Sequence, residues 1–565
     1  MKTNEPDKRS DQADRPEAIQ APDELSDALI QRAFRGFTIL ALCIFGLGGA
    51  ILFSRFGGEA STTEGSSGFG LVAERLGVDL QRNIDVPRLR LETNERVIVR
   101  PKKVETSSTL ELDPASRPYS GGLTLIRGVN NGIELLLLAH WPNGNLSRWR
   151  IAEGGVLKEV RFTQERGVKE SGWISMATVD INGDGLEDLI TAGHGDIGCW
   201  LRGRLSGEFL WQADGCGLVV DGDSWVSSIE VLDANQDGRM DLWLNLMSRG
   251  PDGWGGKPNE LWLYQGSRFK KASEFLNSQP PSRASHSSTL IDIDLDGTLE
   301  IVVANLKEPV EIWRQLRRYP FVESREFFGI PELPNSGQFL EYQGDGHREF
   351  IAVSGNQLQR MSFKKPTSVG EKPLDLGSLA LSIPGLRQIL KWDYDLNGVE
   401  ELLLLGKCSQ STDLACHSRE LLRHHGGPER WLAHASSPEF RMGEQIGLSI
   451  LWDLDLDGYD DLIALGEDSK PEVFINGSDF GHHWFGIRSS ENWRHASFEV
   501  TRSDGLTFRG VLGPLSQGRT SIAFGRKFGL ADGFYISKVR VLHPRLGERV
   551  WTEPQPLNSW LVLGD

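Results

Sequence analysis

The segment DLDLDGYDDLI, residues 453–463, is one of five copies of a single acidic pattern in this chain. Each copy carries a carboxylate or an amide at positions 1, 3, 5 and 9 and a glycine at position 6. The other copies are DINGDGLEDLI from Asp180, DANQDGRMDLW from Asp233, DIDLDGTLEIV from Asp292 and DYDLNGVEELL from Asp393. Alternate residues of a tight loop can point inward together, and glycine permits the turn. The pattern therefore gathers oxygen ligands for one hard cation, and calcium accepts such an irregular set.

We predict one calcium ion in each copy, held by the side chains at positions 1, 3, 5 and 9 and by the carbonyl oxygen of position 7. The predicted ligands are Asp180, Asn182, Asp184, Leu186 and Asp188; Asp233, Asn235, Asp237, Arg239 and Asp241; Asp292, Asp294, Asp296, Thr298 and Glu300; Asp393, Asp395, Asn397, Val399 and Glu401; and Asp453, Asp455, Asp457, Tyr459 and Asp461. Clustered carboxylates repel each other unless a cation lies between them. The alternative is five solvated acidic turns without metal.

An EF-hand shares the start of the pattern, but it needs a bidentate glutamate at position 12. Position 12 in the five copies is occupied by Thr191, Leu244, Val303, Leu404 and Ala464. The short apolar run after position 9 is typical of a strand rather than of an amphipathic helix. These features exclude the EF-hand.

Two weaker copies extend the series. EYQGDGHREFIAV keeps the frame and is a candidate sixth calcium site, with Glu341, Gln343, Asp345 and Glu349 as ligands, whereas NNGIELLLLA around Gly132 lacks ligands and should be free of metal. The seven turn glycines are spaced by 53, 53, 59, 49, 52 and 60 residues. Such a unit has room for four short strands, and seven units arranged radially make a β-propeller, whereas a solenoid usually has shorter repeats. We predict an all-β fold: a seven-bladed β-propeller, then a small β domain, with one N-terminal transmembrane helix.

The copies resemble the FG-GAP/VCBS repeats, which form the β-propeller of the integrin α-chain head and of many bacterial surface proteins. The resemblance covers residues 105–480 and implies that the five complete loops bind calcium. NGSDFGHHWFGIRSS (476–490), RHASFEVTRSDG (494–505), GPLSQGRTSIAFG (513–525) and ISKVRVLHPRLGE (536–548) resemble the ASPIC/UnbV domain that commonly follows such propellers. The chain departs from that domain's usual pattern at residues 496–498 and 543–544. Residues 481–565 are predicted to form an ASPIC/UnbV-like β domain.

An uncharged apolar run of 17 residues, FTILALCIFGLGGAILF, spans residues 37–53 and is at the short end for a transmembrane helix. Residues 1–36 are polar, so we predict a disordered cytoplasmic N-terminus, and residues 54–104 are predicted to be a linker or stalk. The long leader favours an uncleaved single-pass anchor; a cleaved signal peptide is the alternative. The main body is then expected outside the cytoplasm, in the periplasm or at the cell surface.

The net charge of −17 is largely accounted for by the loop ligands and speaks against nucleic acid as a partner. Four of the five cysteines form two local pairs, Cys199 with Cys216 and Cys408 with Cys416. Each pair lies within one repeat, so both are predicted disulfides in an oxidising compartment, with free thiols as the alternative. The 17 tryptophans are expected to pack in the core rather than to stack on sugars.

Three functions are compatible with this organisation. A binding or adhesion module for a protein or carbohydrate ligand is the first hypothesis, because a propeller offers a broad face of loops. Propellers also host hydrolases and lyases, but the chain has no convincing nucleophile elbow, zinc-protease helix, Walker loop or dinucleotide fingerprint. The remaining candidates, His424-His425 and His482-His483, lie beside glycine in turn-like segments, so we predict no enzyme activity. A scaffold for envelope assembly is the third hypothesis.

Overall fold

The part of the chain that the structure describes folds almost entirely into β-strands, which confirms the predicted all-β class. The computed structural model describes residues 101–104, 122–127, 133–138, 146–151, 157–160, 173–203, 207–250, 253–294, 298–306, 308–316, 321–324, 334–335, 339–342, 349–354, 357–362, 374–380, 386–406, 419–424, 431–434, 448–465, 471–476, 481–489, 493–512, 520–522, 525–543 and 545–564. Within these ranges no helix has the length and apolar character needed to cross a bilayer. The predicted span at 37–53 lies outside them.

Most strands form antiparallel sheets of four that follow one another along the chain. Strand β1 is Pro101–Val104. The first sheet has β2 (Leu123–Arg127), β3 (Ile133–Leu138), β4 (Leu146–Ile151) and β5 (Leu157–Val160). The second has β6 (Trp173–Val179), β7 (Asp188–Gly193), β8 (Ile197–Arg202) and β9 (Phe209–Trp211). The third has β10 (Ser224–Leu232), β11 (Asp241–Gly250), β12 (Gly253–Gly256), β13 (Glu260–Gln265) and β14 (Arg268–Lys271), in which β12 is an extra partner of β11.

The later sheets follow the same plan. The fourth has β15 (Ser285–Ile291), β16 (Glu300–Asn305), β18 (Glu311–Gln315) and β19 (Phe321–Glu323), while the short strands β17 (Glu308–Pro309) and β20 (Pro334–Asn335) pair with each other. The fifth has β21 (Phe339–Tyr342), β22 (Glu349–Ser354), β23 (Gln357–Ser362) and β24 (Leu374–Ala380). The sixth has β25 (Leu386–Trp392), β26 (Glu401–Gly406), β27 (Arg419–His424) and β28 (Trp431–His434). Short 3-10 helices span Gly215–Gly217 and Ser273–Phe275.

The seventh sheet joins the two ends of the repeat region. It contains β29 (Ser449–Trp452), β30 (Asp461–Leu465) and β31 (Pro471–Asn476), and its fourth strand is β1, which pairs antiparallel with β31. The predicted boundary at residue 105 leaves β1 in the stalk, so the folded repeat region begins four residues earlier, at Pro101.

Neighbouring sheets share apolar cores. Leu125 of the first sheet packs in one cluster with Ile450 and Val473 of the seventh, so the first and last repeats are in direct contact. The aromatic rings of Trp149, Trp200, Trp243 and Trp313 are at most 2% exposed. For these four tryptophans, the prediction of core packing is confirmed.

Cys199 and Cys216 form a disulfide, which confirms one of the two predicted pairs. The bond ties β8 to the 3-10 turn at Gly215–Gly217. Cys408 and Cys416 lie outside the described residues.

Removing this disulfide should weaken the second sheet. We expect Cys199→Ala combined with Cys216→Ala to lower the free energy of unfolding by about 3 kcal/mol, the contribution of a closed loop of about 15 residues. The two cysteines are 17 residues apart. Urea unfolding of the variant and of the wild type measures the loss, with reduced wild-type protein as the control. Equal stability of all three samples would contradict the expectation.

The residues after the seventh sheet form a β module of their own, here called the C-terminal module (residues 481–564). Its strands are β32 (His483–Ser489), β33 (Ser497–Arg502), β34 (Thr507–Val511), β35 (Thr520–Ile522), β36 (Arg526–Leu530), β37 (Ile536–His543), β38 (Gly547–Trp551) and β39 (Ser559–Leu563). They form a sheet of order β36-β32-β39 and a sheet of order β34-β33-β37-β38 around a shared core. Strand β35 leaves the module and pairs parallel with β2 of the first sheet.

Candidate metal centres

The complete loops join the first strand of a sheet to the second, and they share one backbone frame. The glycine at position 6 has a φ of 86° at Gly185, 89° at Gly238, 85° at Gly398 and 103° at Gly458, which glycine adopts readily. Its amide donates to the position-1 aspartate, with distances of 2.7 Å at Asp180, 2.9 Å at Asp233, 3.0 Å at Asp393 and 3.1 Å at Asp453. These bonds hold the position-1 side chain inside the loop. Asp296 lies outside the described residues.

The acid at position 9 begins the second strand and is completely buried. Asp188, Asp241, Glu300, Glu401 and Asp461 are each 0% exposed. One of its oxygens accepts the amide of position 2, at 2.9 Å for Ile181 and Ala234, 2.7 Å for Ile293, 3.4 Å for Tyr394 and 2.8 Å for Leu454. In three sheets the other oxygen accepts an amide of the third strand, at 2.7 Å for Arg202, 2.8 Å for Tyr264 and 2.7 Å for Asn476. Position 9 therefore fixes each loop to its own sheet.

Acidic oxygens converge in three of the loops. The groups are Asp292 with Asp294 and Glu300, Asp393 with Asp395 and Glu401, and Asp453 with Asp455 and Asp461, and the oxygens of each group lie within 4.8 Å of one another. In the Asp180 loop the amide of Asp184 donates to Asp180 at 3.0 Å and to Asn182 at 2.9 Å, and Asp237 repeats this pattern with Asp233 and Asn235. A donor set made only of oxygens suits a hard cation such as calcium.

The aspartates at position 1 of two loops also favour a bound cation. Asp393 Oδ1 and Asp453 Oδ1 are buried and make no hydrogen bond to the part of the chain that the structure describes. A buried carboxylate oxygen without a partner is costly. A cation inside the loop would remove that cost.

Burial raises the pKa of several ligand carboxyls above the usual 3.8. The pKa rises to about 8 for Asp241 and Asp461, to about 7 for Asp188 and to about 6 for Asp233 and Asp457. Desolvation is the main cause; neighbouring carboxylates add to it and backbone amides oppose it. A dication in the loop would favour the ionised forms and reverse these shifts.

The two loops with four carboxylate ligands each have a basic side chain beside them. Arg314 Nη2 of β18 lies 2.6 Å from Asp294 Oδ2, and Arg314 Nε lies 3.8 Å from Glu300 Oε1. Lys527 Nζ of β36 lies 3.0 Å from Asp453 Oδ2. In the other three loops an asparagine replaces one carboxylate, namely Asn182, Asn235 or Asn397. The carboxylates of positions 1, 3, 5 and 9 alone therefore give each loop a formal charge of −3 or −4.

The two incomplete repeats have an arginine in place of an apolar residue. In the first sheet Glu134 accepts from Arg148 Nε at 2.8 Å and Nη2 at 3.0 Å. In the fifth sheet Glu349 accepts from Arg360 Nε at 2.9 Å and Nη2 at 2.6 Å. By strand register, the equivalent residues of the complete repeats are Cys199, Leu261, Ile312, Leu421 and Val473. Both oxygens of Glu349, a ligand of the candidate sixth site, are thus bound by an arginine. Gln343 and Asp345 lie outside the described residues.

The C-terminal module contacts every complete loop or the strand that leads into it. The contacts are Arg494 Nη2 to Thr178 O (2.9 Å), Arg545 Nη1 to Asp237 O (3.2 Å), Ser497 Oγ to Asp292 Oδ2 (3.2 Å), Arg502 Nη1 to Asn397 O (3.2 Å), Gly529 N to Asp393 Oδ2 (3.1 Å) and Lys527 Nζ to Gly458 O (2.7 Å). His482 Nδ1 lies 2.7 Å from Asp395 O, so this histidine is part of the same contact. His425 lies outside the described residues.

The sequence reasoning missed four basic residues at these sites. Arg148 and Arg360 leave a local signal, because alignment of the third strands places an arginine where the complete repeats are apolar. Arg314 follows Trp313 in the fourth sheet and is likewise visible in such an alignment. Lys527 has no local signal, since it belongs to another module and meets its partner only after folding.

Residues 180–244 match the family model described as FG-GAP-like repeat, which spans the Asp180 and Asp233 loops. Comparison with curated protein sequences gives no match. Solved structures with a similar fold include BBS1N in complex with ARL6DN (10% identity, TM-score 0.39, 66% of this chain and 100% of that chain), the Dos1 propeller (12%, 0.38, 67% and 84%) and the BP39L lectin from Burkholderia pseudomallei (9%, 0.38, 64% and 98%). An FG-GAP-like repeat within a succession of four-stranded antiparallel sheets identifies the fold as a β-propeller.

Proposed function

We propose that this protein is a membrane-anchored, extracytoplasmic, calcium-binding β-propeller of seven blades that acts as a binding module for a protein or carbohydrate ligand. Seven sheets of the same plan within the described residues support the blade number. The pairing of β1 with β31 and the core shared by the first and seventh sheets support a closed ring. The apolar run at 37–53 supplies the anchor.

The buried, unpartnered oxygens of Asp393 and Asp453 carry the calcium proposal. They lie in the clusters formed by Asp393, Asp395 and Glu401 and by Asp453, Asp455 and Asp461. A dication would partly neutralise the three or four carboxylates of each complete loop. The first and fifth repeats instead pair their position-9 equivalents, Glu134 and Glu349, with arginine, so we propose five calcium sites and no sixth.

The ligand surface is then expected away from the calcium loops. The C-terminal module already contacts these loops, through residues such as Arg545 and Lys527. A partner protein or glycan would use the opposite ends of the blades or the outer strands. Calcium is therefore proposed as a structural ion that keeps the blade turns rigid, and it does not itself bridge to the ligand.

Calcium addition should stabilise the purified full-length protein. We expect isothermal titration to count five sites and the melting temperature to rise with calcium and fall again with chelator. Each site contributes about 2.7 kcal/mol of stability when free calcium is 100 times its dissociation constant. Asp455→Ala should remove one site, because Asp455 is a ligand of the seventh repeat.

Asp532→Ala is the matched control, since Asp532 is an exposed aspartate outside the loops. It should leave the stoichiometry unchanged. An identical melting curve in calcium and in chelator, with no metal found by elemental analysis, would overturn the calcium sites.

Partner identity needs a separate experiment. Crosslinking in the source cells followed by mass spectrometry should recover a protein partner, and a glycan array probed with the purified protein should detect a carbohydrate ligand. Failure of both at saturating calcium would count against a binding module and favour an assembly scaffold or an enzyme.

A further inference from the structure

Two position-1 aspartates divide their carboxylate oxygens between the loop interior and the C-terminal module. Asp453 Oδ2 accepts from Lys527 Nζ at 3.0 Å and from the amide of Gly458 at 3.1 Å, while Oδ1 is buried without a hydrogen bond to a described residue. Asp393 Oδ2 accepts from the amides of Gly529 and Gly398, at 3.1 Å and 3.0 Å, and its Oδ1 is likewise unpartnered. Each carboxylate thus shares Oδ2 between the module and the glycine amide of its own loop, and leaves Oδ1 buried.

The module residues at these two contacts belong to one strand. Lys527 and Gly529 are two positions apart on β36, so they lie on the same side of it. Lys527 Nζ also lies 2.7 Å from Gly458 O and 2.9 Å from Asp460 Oδ1. The buried lysine therefore depends on the acidic groups of the seventh repeat for its partners.

Gly529 makes an especially close approach. A Cβ at this position would overlap Asp393 Oδ2 and the backbone of Leu396. The loop and β36 therefore fit together only while residue 529 has no side chain and Asp393 keeps its present orientation.

We propose that docking of β36 depends on whether the propeller loops hold calcium. Asp393 and Asp453 would each contact a calcium ion through Oδ1 and the docked strand through Oδ2. This inference rests on the proposed calcium sites. Without the ion, Oδ1 is buried with no hydrogen bond to a described residue, and the aspartate gains by turning away from its present orientation. With the ion, the same orientation is fixed and Oδ2 stays presented to β36. At Asp393, calcium binding and docking of Gly529 then strengthen each other, and the effect is reciprocal.

Hydrogen exchange in the full-length protein tests the coupling. We expect the amides of β36, above all that of Gly529, to exchange about fivefold or more slowly in calcium than in chelator, the lower end of ordinary coupling factors. The amides of β37 and β38, inside the module's own second sheet, serve as the internal reference and should change less. An equal change in all three strands, or none in β36 although calcium binds, would overturn the coupling.

Reciprocity supplies an independent readout. Gly529→Ala should weaken calcium binding at one site by about fivefold or more, whereas Gly564→Ala, where a Cβ meets no atom within 4 Å, should not. Unchanged calcium affinity in Gly529→Ala would contradict the proposal. The wild-type exchange measurement needs no variant, so it decides the matter even where Gly529→Ala does not fold. If calcium binds at no loop, the proposed function fails as a whole; if it binds without affecting β36, only the coupling fails.

Discussion

Metal-free protein is expected to lose stability as the pH rises from about 4 to about 8, the interval between the unfolded and folded pKa values of its buried loop carboxyls. The pKa of Asp241 and of Asp461 is about 8 in the folded protein, because burial disfavours the charged form. Below pH 4 these carboxyls are protonated in both states, so their contribution is fully present. Between pH 4 and pH 8 the unfolded chain releases the protons first, and folding becomes less favourable. Four pKa units correspond to a loss of order 5 kcal/mol per carboxyl.

Calcium should abolish this loss, since the ion takes the place of the proton. Urea unfolding at several pH values, in chelator and in calcium, gives the two curves to compare. Asp241→Asn is the informative variant: an amide mimics the protonated acid, so it should flatten the chelator curve and remove one calcium site. Metal-free stability that increases across this interval would contradict the assignment of raised pKa values to these loops.

Arg360→Met is expected to destabilise the protein by about 3–5 kcal/mol, the usual cost of leaving one member of a buried ion pair without its partner. Arg360 is 3% exposed and Glu349 is 4% exposed, so solvent cannot replace the guanidinium. Chemical unfolding of the variant measures the loss, with the free energy of unfolding as the quantity compared.

The double variant Glu349→Leu with Arg360→Leu is the control. It replaces the pair by apolar side chains, and such replacements are often neutral or stabilising. The equivalent position in the fourth sheet is already apolar, at Ile312. We expect the double variant to be more stable than Arg360→Met. A single variant as stable as the wild type would show that the pair does not substitute for an ion.

The loops could be located from sequence because their information is local. The glycine at position 6, the acids at positions 1 and 9 and the start of the apolar second strand all fall within eleven residues. The structure places them as the pattern predicts at Asp180, Asp233, Asp393 and Asp453. The sequence predicts position 9 only as a calcium ligand. Its hydrogen bonds to the strand backbone make it a structural residue as well.

Contacts between distant segments could not be predicted in this way. Nothing in the four residues of β1 marks them as a strand of the seventh sheet, because the partner that makes them a strand is β31. Lys527 is similarly uninformative on its own and acquires a role only beside Asp453. The loop ligands, and Cys199 with Cys216, lie within a single repeat of the sequence. The pairing of β1 with β31 and the contact of Lys527 with Asp453 join segments that are far apart in the sequence.

The pairing of β1 with β31 also constrains how the protein folds. Residues about 370 positions apart must meet before the seventh sheet is complete, and contacts of such long separation form slowly. During synthesis the first six sheets can form while β1 is still unpaired, because β31 has not yet been made. Until β31 forms, β1 is unpaired and the apolar surface of the first sheet that packs on the seventh is exposed, features that promote aggregation. Newly made protein is therefore expected to be most prone to aggregation after six sheets have formed and before the seventh is complete.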